Sequence, residues 1–147
     1  YAVLGGATAL AVPTKLGQSL EVAEKGNAIQ WKSVDCTGKI WYDNTFDLDT
    51  FTPKRHDEIG DPLQQLFFAL REQNLNCWNT STGLSFTATL DFDRSWGLGS
   101  SSTLISLLAQ WANVNPYMLQ QQVFGGSGYD IACATSKSAL FSFLAWT

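Results

Sequence analysis

The sequence predicts an α+β fold. Runs that alternate polar and apolar residues dominate the first part of the chain, and helical periodicity enters only later. The two patterns do not interleave as they would in a regular α/β sheet. A length of 147 residues with 45% hydrophobic residues suits one domain with a real core.

The elements follow in order. Ala9 to Pro13 is short and apolar, as a strand would be. Gln18-Ser19-Leu20-Glu21-Val22-Ala23-Glu24 alternates with the period of a half-buried strand, and so does Ala28 to Val34. Gly26-Asn27 supplies a turn between them, which predicts a hairpin. Lys39 to Asp43 and Thr45 to Asp49 read as two further short strands. A helix follows, with Asp61 as N-cap, Pro62 at its first position and Leu63, Leu66, Phe67 and Leu70 at helical spacing, ending near Asn74. Ser85 to Phe92 is another alternating strand. A second helix carries Leu104, Ile105, Leu107, Leu108 and Trp111, and a third runs from the cap Asn115 and Pro116 to about Val123. Ala139 to Thr147 alternates like a strand with no polar tail, and the chain begins inside an apolar stretch. Both ends are therefore expected to be cut from a longer chain.

Composition narrows the function. Charged residues are 15% of the chain, against about 25% in typical soluble domains, and the hydrophobic content excludes overall disorder. The net charge of −4 argues against a nucleic-acid partner. No apolar run reaches the ~18–20 residues needed to cross a bilayer, so no membrane partner is expected. Cys36, Cys77 and Cys133 are too few and too scattered for a disulfide framework or metal cluster. They predict reduced, mostly buried thiols in a cytoplasmic protein. The single histidine, His56, lies in the charged stretch Pro53 to Glu58, which reads as a solvated loop. Trp31, Trp41 and Trp111 read as core, whereas Trp96 stands directly before a glycine loop and could border a ligand.

That loop, Gly97-Leu98-Gly99-Ser100-Ser101-Ser102-Thr103, lies between a strand and a helix. Glycines let the backbone turn tightly, a helix start offers unpaired N–H groups to anions, and serine hydroxyls can reach phosphate or metal. The pattern is neither a Walker A loop, since no lysine is near, nor a dinucleotide fingerprint, since Ser102 stands where a third glycine is required. A serine-rich N-cap on a buried helix is the plainer alternative. A second feature, Gly125-Gly126-Ser127-Gly128-Tyr129-Asp130-Ile131-Ala132, sets a carboxylate at the end of a glycine turn. Asp130 is expected to be partly buried and to need a partner, or to close an Asx-type turn or helix cap.

In this order the two features resemble the GHMP kinases: galactokinase, homoserine kinase, mevalonate kinase and phosphomevalonate kinase. In that family a Pro-x-x-Gly-Leu-Gly-Ser-Ser loop wraps the ATP phosphates and a later Ser-Gly-x-Asp carries the active-site aspartate. Gly97-Leu98-Gly99-Ser100-Ser101 and Ser127-Gly128-Tyr129-Asp130 match these motifs. Tyr1 to Val12 is similar to the stretch after the family's first Gly-Glu, and Gly-Tyr-Asp-Ile-Ala is similar to a bacterial subgroup carrying that string. The resemblance implies a ribosomal protein S5 domain 2-like N-terminal domain over residues 1–147, with a left-handed βαβ crossover. The family's C-terminal domain and upstream lysine strand lie outside the chain, so the isolated segment is expected to be inactive.

The resemblance also implies ATP and magnesium as cofactors and a small-molecule acceptor, mevalonate-type first, with sugar and homoserine open. A homodimer is left open too. Backbone amides of Gly97, Leu98, Gly99, Ser100, Ser101 and Ser102 would hold phosphates, and Ser101, or else Ser100, would contact magnesium. Asp130 would take the acceptor's proton, and Tyr1, Ser127 and Gly128 would lie beside the acceptor. Two departures stand out. Arg94 replaces the loop's proline, and Leu119-Gln120-Gln121-Gln122 lacks the magnesium-holding glutamate of mevalonate kinase-like members. The rival readings are a non-catalytic nucleotide or metabolite binder on the same fold, and a serine hydrolase built on Ser127 with His56. For the hydrolase, Gly-x-Ser-x-Gly fails at Tyr129.

Overall fold

Alternation in the first half of the chain resolves into strands with one buried face. The computed structural model describes residues 9–80, 82–126, 128–136, 138 and 140–142. Its strands are β1 (Ala9–Ala11), β2 (Gln18–Glu24), β3 (Ile29–Val34), β4 (Ile40–Phe46), β5 (Leu84–Leu90) and β6 (Leu140–Ser142). Its helices are α1 (Gly60–Gln73), α2 (Ser100–Ala112), α3 (Pro116–Val123) and α4 (Tyr129–Thr135), with short 3-10 turns at Leu75–Trp78 and Arg94–Trp96. The architecture is α+β, as the sequence predicts.

The main sheet runs in the order β2-β5-β3-β4, and β1 pairs with β6 in a separate antiparallel ribbon. Here the predicted hairpin fails. β5 lies between β2 and β3, antiparallel to the first and parallel to the second, so Leu84 stands opposite both Glu24 and Ile29. The Gly26-Asn27 turn is real, but it wraps around Gly83, whose N–H donates to the Gly26 carbonyl at 2.8 Å while Lys25 N–H donates to the Gly83 carbonyl at 2.7 Å. Period-2 alternation fixes which face a residue occupies, not which strand lies beside it. The two short strands expected over residues 39–49 are likewise one continuous strand, β4, followed by a turn in which Asp47 accepts from the Asp49 and Thr50 amides.

One face of the sheet is polar and the other is covered by helices. Trp31, Tyr42, Phe46, Phe86 and Ala88 point from the sheet into a core completed by Leu63, Leu66, Phe67 and Leu70 of α1 and by Ile105 and Leu108 of α2. Trp31 is buried and Trp111 meets Phe86 edge-on at 5.0 Å, as core tryptophans should. Trp41 is half-buried against the same core, with the Arg94 guanidinium 3.5 Å above its ring.

The start of α1 also differs. Asp61 does not cap it. The Asp57 carboxylate accepts from the Ile59 amide at 3.0 Å and the Gly60 amide at 2.6 Å, and Asp57 further meets Arg55 at 2.7 Å and the Tyr42 hydroxyl at 3.1 Å. The Arg55 guanidinium first, and then the Gly60 amide, hold the Asp57 carboxyl well below the usual carboxylate range. The folded chain therefore binds this proton more weakly than the unfolded chain does. Its stabilisation is complete above the unfolded value of about 4 and is lost as pH falls below it. Melting temperatures measured from pH 6 to pH 3 should fall less steeply for Asp57→Asn than for the parent protein.

The cysteines are less buried than expected. Cys36 is exposed, and Cys77 and Cys133 are half-buried. All three are free thiols, and burial pushes the Cys77 thiol up to about 11. His56 is exposed and its Nδ1 sits 2.6 Å from Asp61, in keeping with a solvated loop. Among the described residues no helix is long and apolar enough to cross a membrane.

Candidate functional site

Strand β5 delivers the chain to the glycine loop. Asp93 caps the following 3-10 turn by accepting from the Ser95 amide at 2.8 Å, and Gly97 and Gly99 then turn with φ of +66° and +76°. Gly99 is the N-cap residue of α2, and no side chain caps that helix. Left-handed backbone is open to glycine at little cost, and it lets the loop drop straight into the helix. The first-turn amides of α2 are therefore left to other partners.

Helix α4 supplies the second feature. Its N-cap is Gly128, at φ +71°, where an added Cβ would come within 2.8 Å of the Tyr117 ring. Glycine is thus required there twice over, by backbone conformation and by the close approach of α3. Ile131 is fully buried, which rotates the neighbouring Asp130 outward. This corrects the expectation of a partly buried, partnered carboxylate. Asp130 is exposed in the first turn of α4, makes no side-chain hydrogen bond among the described residues, and caps nothing.

The two features meet. Helix α4 packs on α2, and a cleft of about 860 Å³ opens beside them. Its walls include Gly97, Leu98 and Gly99 from the loop, Thr103 from α2, and Tyr129 and Asp130 from α4. The volume falls within the ~300–1,000 Å³ range of small-molecule sites. Ser100, Ser101 and Ser102 form the first turn of α2 instead of lining the cleft. Ser101 presents an exposed hydroxyl, whereas the Ser102 side chain is buried. Gly128 stands at the head of α4, and Tyr1 and Ser127 lie outside the described residues.

Sequence reasoning missed a third wall. The connection between β1 and β2 contributes Thr14 and Lys15 to the same cleft, and the first residue of β2 contributes Gln18. Only contacts distant in sequence could have revealed it. Thr103 Oγ1 donates to Gln18 Oε1 at 2.8 Å, and the Asp91 amide donates to the Gly17 carbonyl at 2.9 Å. The exposed Trp96 does not line the cleft.

The segment in which the resemblance expects a magnesium-holding carboxylate is partly engaged in local contacts, with Gln120 Oε1 buried and unpartnered among the described residues. Leu119 is fully buried, Gln120 Nε2 donates to the Gly125 carbonyl at 3.3 Å, and Gln122 pairs with Glu72 and Gln73 of α1. Among the described residues no three His, Cys, Asp or Glu side chains converge, and Asp130 is the only carboxylate lining the cleft. That donor set does not suit a metal held by protein alone. It suits magnesium carried in by a phosphate chain, which needs one or two carboxylates beside the phosphate oxygens. Comparison of the chain with protein-family models, with curated proteins and with solved structures finds no match.

Proposed function

We propose that the chain is the nucleotide-binding part of a GHMP-type small-molecule kinase, transferring the γ-phosphoryl group of ATP to a hydroxyl or phosphate of a small metabolite, with a mevalonate-type acceptor favoured. One observation carries the reading. The Gly97–Gly99 loop and Asp130, far apart in sequence, line one cleft. β3 and β5 pair in parallel with both β4 and α1 between them in the chain, which is compatible with the α+β class of an S5 domain 2-like domain.

In this reading the amides from Gly97 to Ser102 grip the phosphates, aided by the dipole of α2. Asp130, exposed and without a competing side-chain partner among the described residues, orients the acceptor hydroxyl and accepts its proton. The resemblance assigns Ser101, which stands in the first turn of α2 outside the cleft lining, and the cleft-lining Asp130 to the shell of magnesium brought by the nucleotide. Magnesium bound there offsets negative charge on the phosphate oxygens. Gly128 shapes the start of α4 beside the acceptor, with Tyr1 and Ser127 assigned to the same side by resemblance.

Calorimetric titration of the full-length protein with ATP and magnesium, followed by a screen of mevalonate, phosphomevalonate, galactose and homoserine for ADP release, tests the proposal. Gly99→Ala forces a side chain into left-handed backbone at a cost of ~1–2 kcal/mol. The variant should weaken ATP binding about tenfold while leaving the circular dichroism spectrum unchanged. No ATP affinity in the parent protein would sink the kinase reading. That Asp130 is the one carboxylate lining the cleft among the described residues favours one rival, a non-catalytic binder, for which ATP would bind without ADP release on any acceptor.

A further inference from the structure

We infer that Lys15 is the residue that neutralises the terminal phosphates of the nucleotide, an inference that rests on the kinase reading of the same cleft. The glycine loop has no cation of its own between Gly97 and Thr103, and its neighbour Arg94 is stacked over Trp41 at 3.5 Å. Helix α2 offers only the partial positive charge of its amides, about half an elementary charge. A phosphate chain carries several negative charges, and phosphoryl transfer depends on positioning and charge stabilisation more than on covalent help. Magnesium brought by the nucleotide offsets only part of that charge, which leaves a place for a full positive charge from the protein.

Among the described residues Lys15 is the only basic side chain lining the cleft. It is exposed and forms no ion pair among those residues, so its charge is not already committed to a carboxylate. The residues that follow it, Gly17 and Gln18, are tied to the segments on either side of the loop. On the entry side, the Asp91 amide donates to the Gly17 carbonyl at 2.9 Å. On the exit side, Thr103 in the first turn of α2 donates to Gln18 at 2.8 Å. The Thr14 hydroxyl donates to the Leu16 carbonyl at 2.7 Å and closes a tight turn around Lys15 itself. A lysine absent from the loop in sequence is thus delivered to the same cleft.

The step it assists is balanced. The acceptor oxygen bonds to the γ-phosphorus, the bond from that phosphorus to the β,γ-bridging oxygen breaks, ADP leaves with the electron pair, and the acceptor's proton passes to Asp130. Lys15 contributes charge to the phosphate oxygens and transfers no proton.

Calorimetry on the full-length protein with ATP, ADP and AMP tests the inference, using Lys15→Met, Lys15→Arg and, as a charge-matched control, Lys32→Met on the exposed face of the sheet. Lys15→Met is expected to weaken ATP about 10–100-fold, the size of a lost charged hydrogen bond, and to leave AMP within about twofold. Lys15→Arg should recover most of the loss, and Lys32→Met should change nothing. Unchanged ATP affinity in Lys15→Met, or equal losses for ATP and AMP, would overturn the inference while leaving the kinase reading intact. If the parent protein binds no ATP at all, both fall together.

Discussion

Asp130→Asn is expected to lower turnover about 10²–10⁴-fold in the full-length protein while leaving ATP affinity near that of the parent, the range typical of losing a positioned base. Asparagine keeps the shape of the side chain and its place in the first turn of α4, but it cannot accept the acceptor's proton. Structural side effects should be small. Asp130 is exposed and holds no side-chain hydrogen bond among the described residues, while the neighbouring Ile131 carries the packing of α4. The variant therefore separates chemistry from folding. Steady-state kinetics should show the loss in kcat, with ATP titration unchanged. Turnover within a few-fold of the parent would remove Asp130 from the role of base. A parallel loss of ATP affinity would show that its share in the magnesium shell outweighs proton transfer, since among the described residues no second carboxylate lines the cleft.

What the sequence made legible was local. β2 begins and ends where its alternation does, and α3 begins where Asn115 and Pro116 announce it, with the Asn115 side chain accepting from the Tyr117 amide at 2.9 Å. The loop glycines were readable for the same reason, since a left-handed turn into a helix favours glycine whatever surrounds it. The failures were of two kinds. Where two local signals competed, tertiary contacts decided. Asp61 and Pro62 look like a helix start, but Asp57 captures the cap because Arg55 and Tyr42 hold its carboxylate in place. Where neighbours were remote in sequence, nothing local spoke at all. The insertion of β5 between β2 and β3, and the convergence of Lys15 and Gln18 on the cleft lined by the glycine loop, depend on pairings such as Gln18 with Leu90. The outward turn of Asp130 was readable in principle. One residue of helix is a rotation of about 100°, so a buried Ile131 predicts an exposed neighbour once the segment is known to be helical.

Phe67→Ala is expected to cost ~3–5 kcal/mol, the range for deleting a buried aromatic ring. Phe67 is fully buried on α1 and is ringed by Phe46 at 5.1 Å, Trp78 at 5.4 Å, Phe86 at 5.7 Å, Phe51 at 5.8 Å and Trp31 at 6.0 Å. Those rings come from β3, β4, β5 and the loops flanking α1, so the side chain is the junction through which the helix grips the sheet. Truncation leaves a cavity that five rigid rings cannot readily collapse to fill, which places the cost toward the upper end of the range. Against a typical domain stability of ~5–15 kcal/mol, that leaves little reserve. Urea unfolding followed by tryptophan emission measures the loss. Phe67→Leu, closer in volume, should lose much less, since swaps that nearly conserve core volume usually cost under ~1.5 kcal/mol. A loss below about 1 kcal/mol for Phe67→Ala, far under the cavity range, would show that α1 is held by other contacts. The effect should reach the cleft too, because Phe86 stacks on Phe67 from β5, the strand whose end leads toward the glycine loop. Weakened ATP binding in Phe67→Ala alongside normal binding in Phe67→Leu would trace that route from core to site.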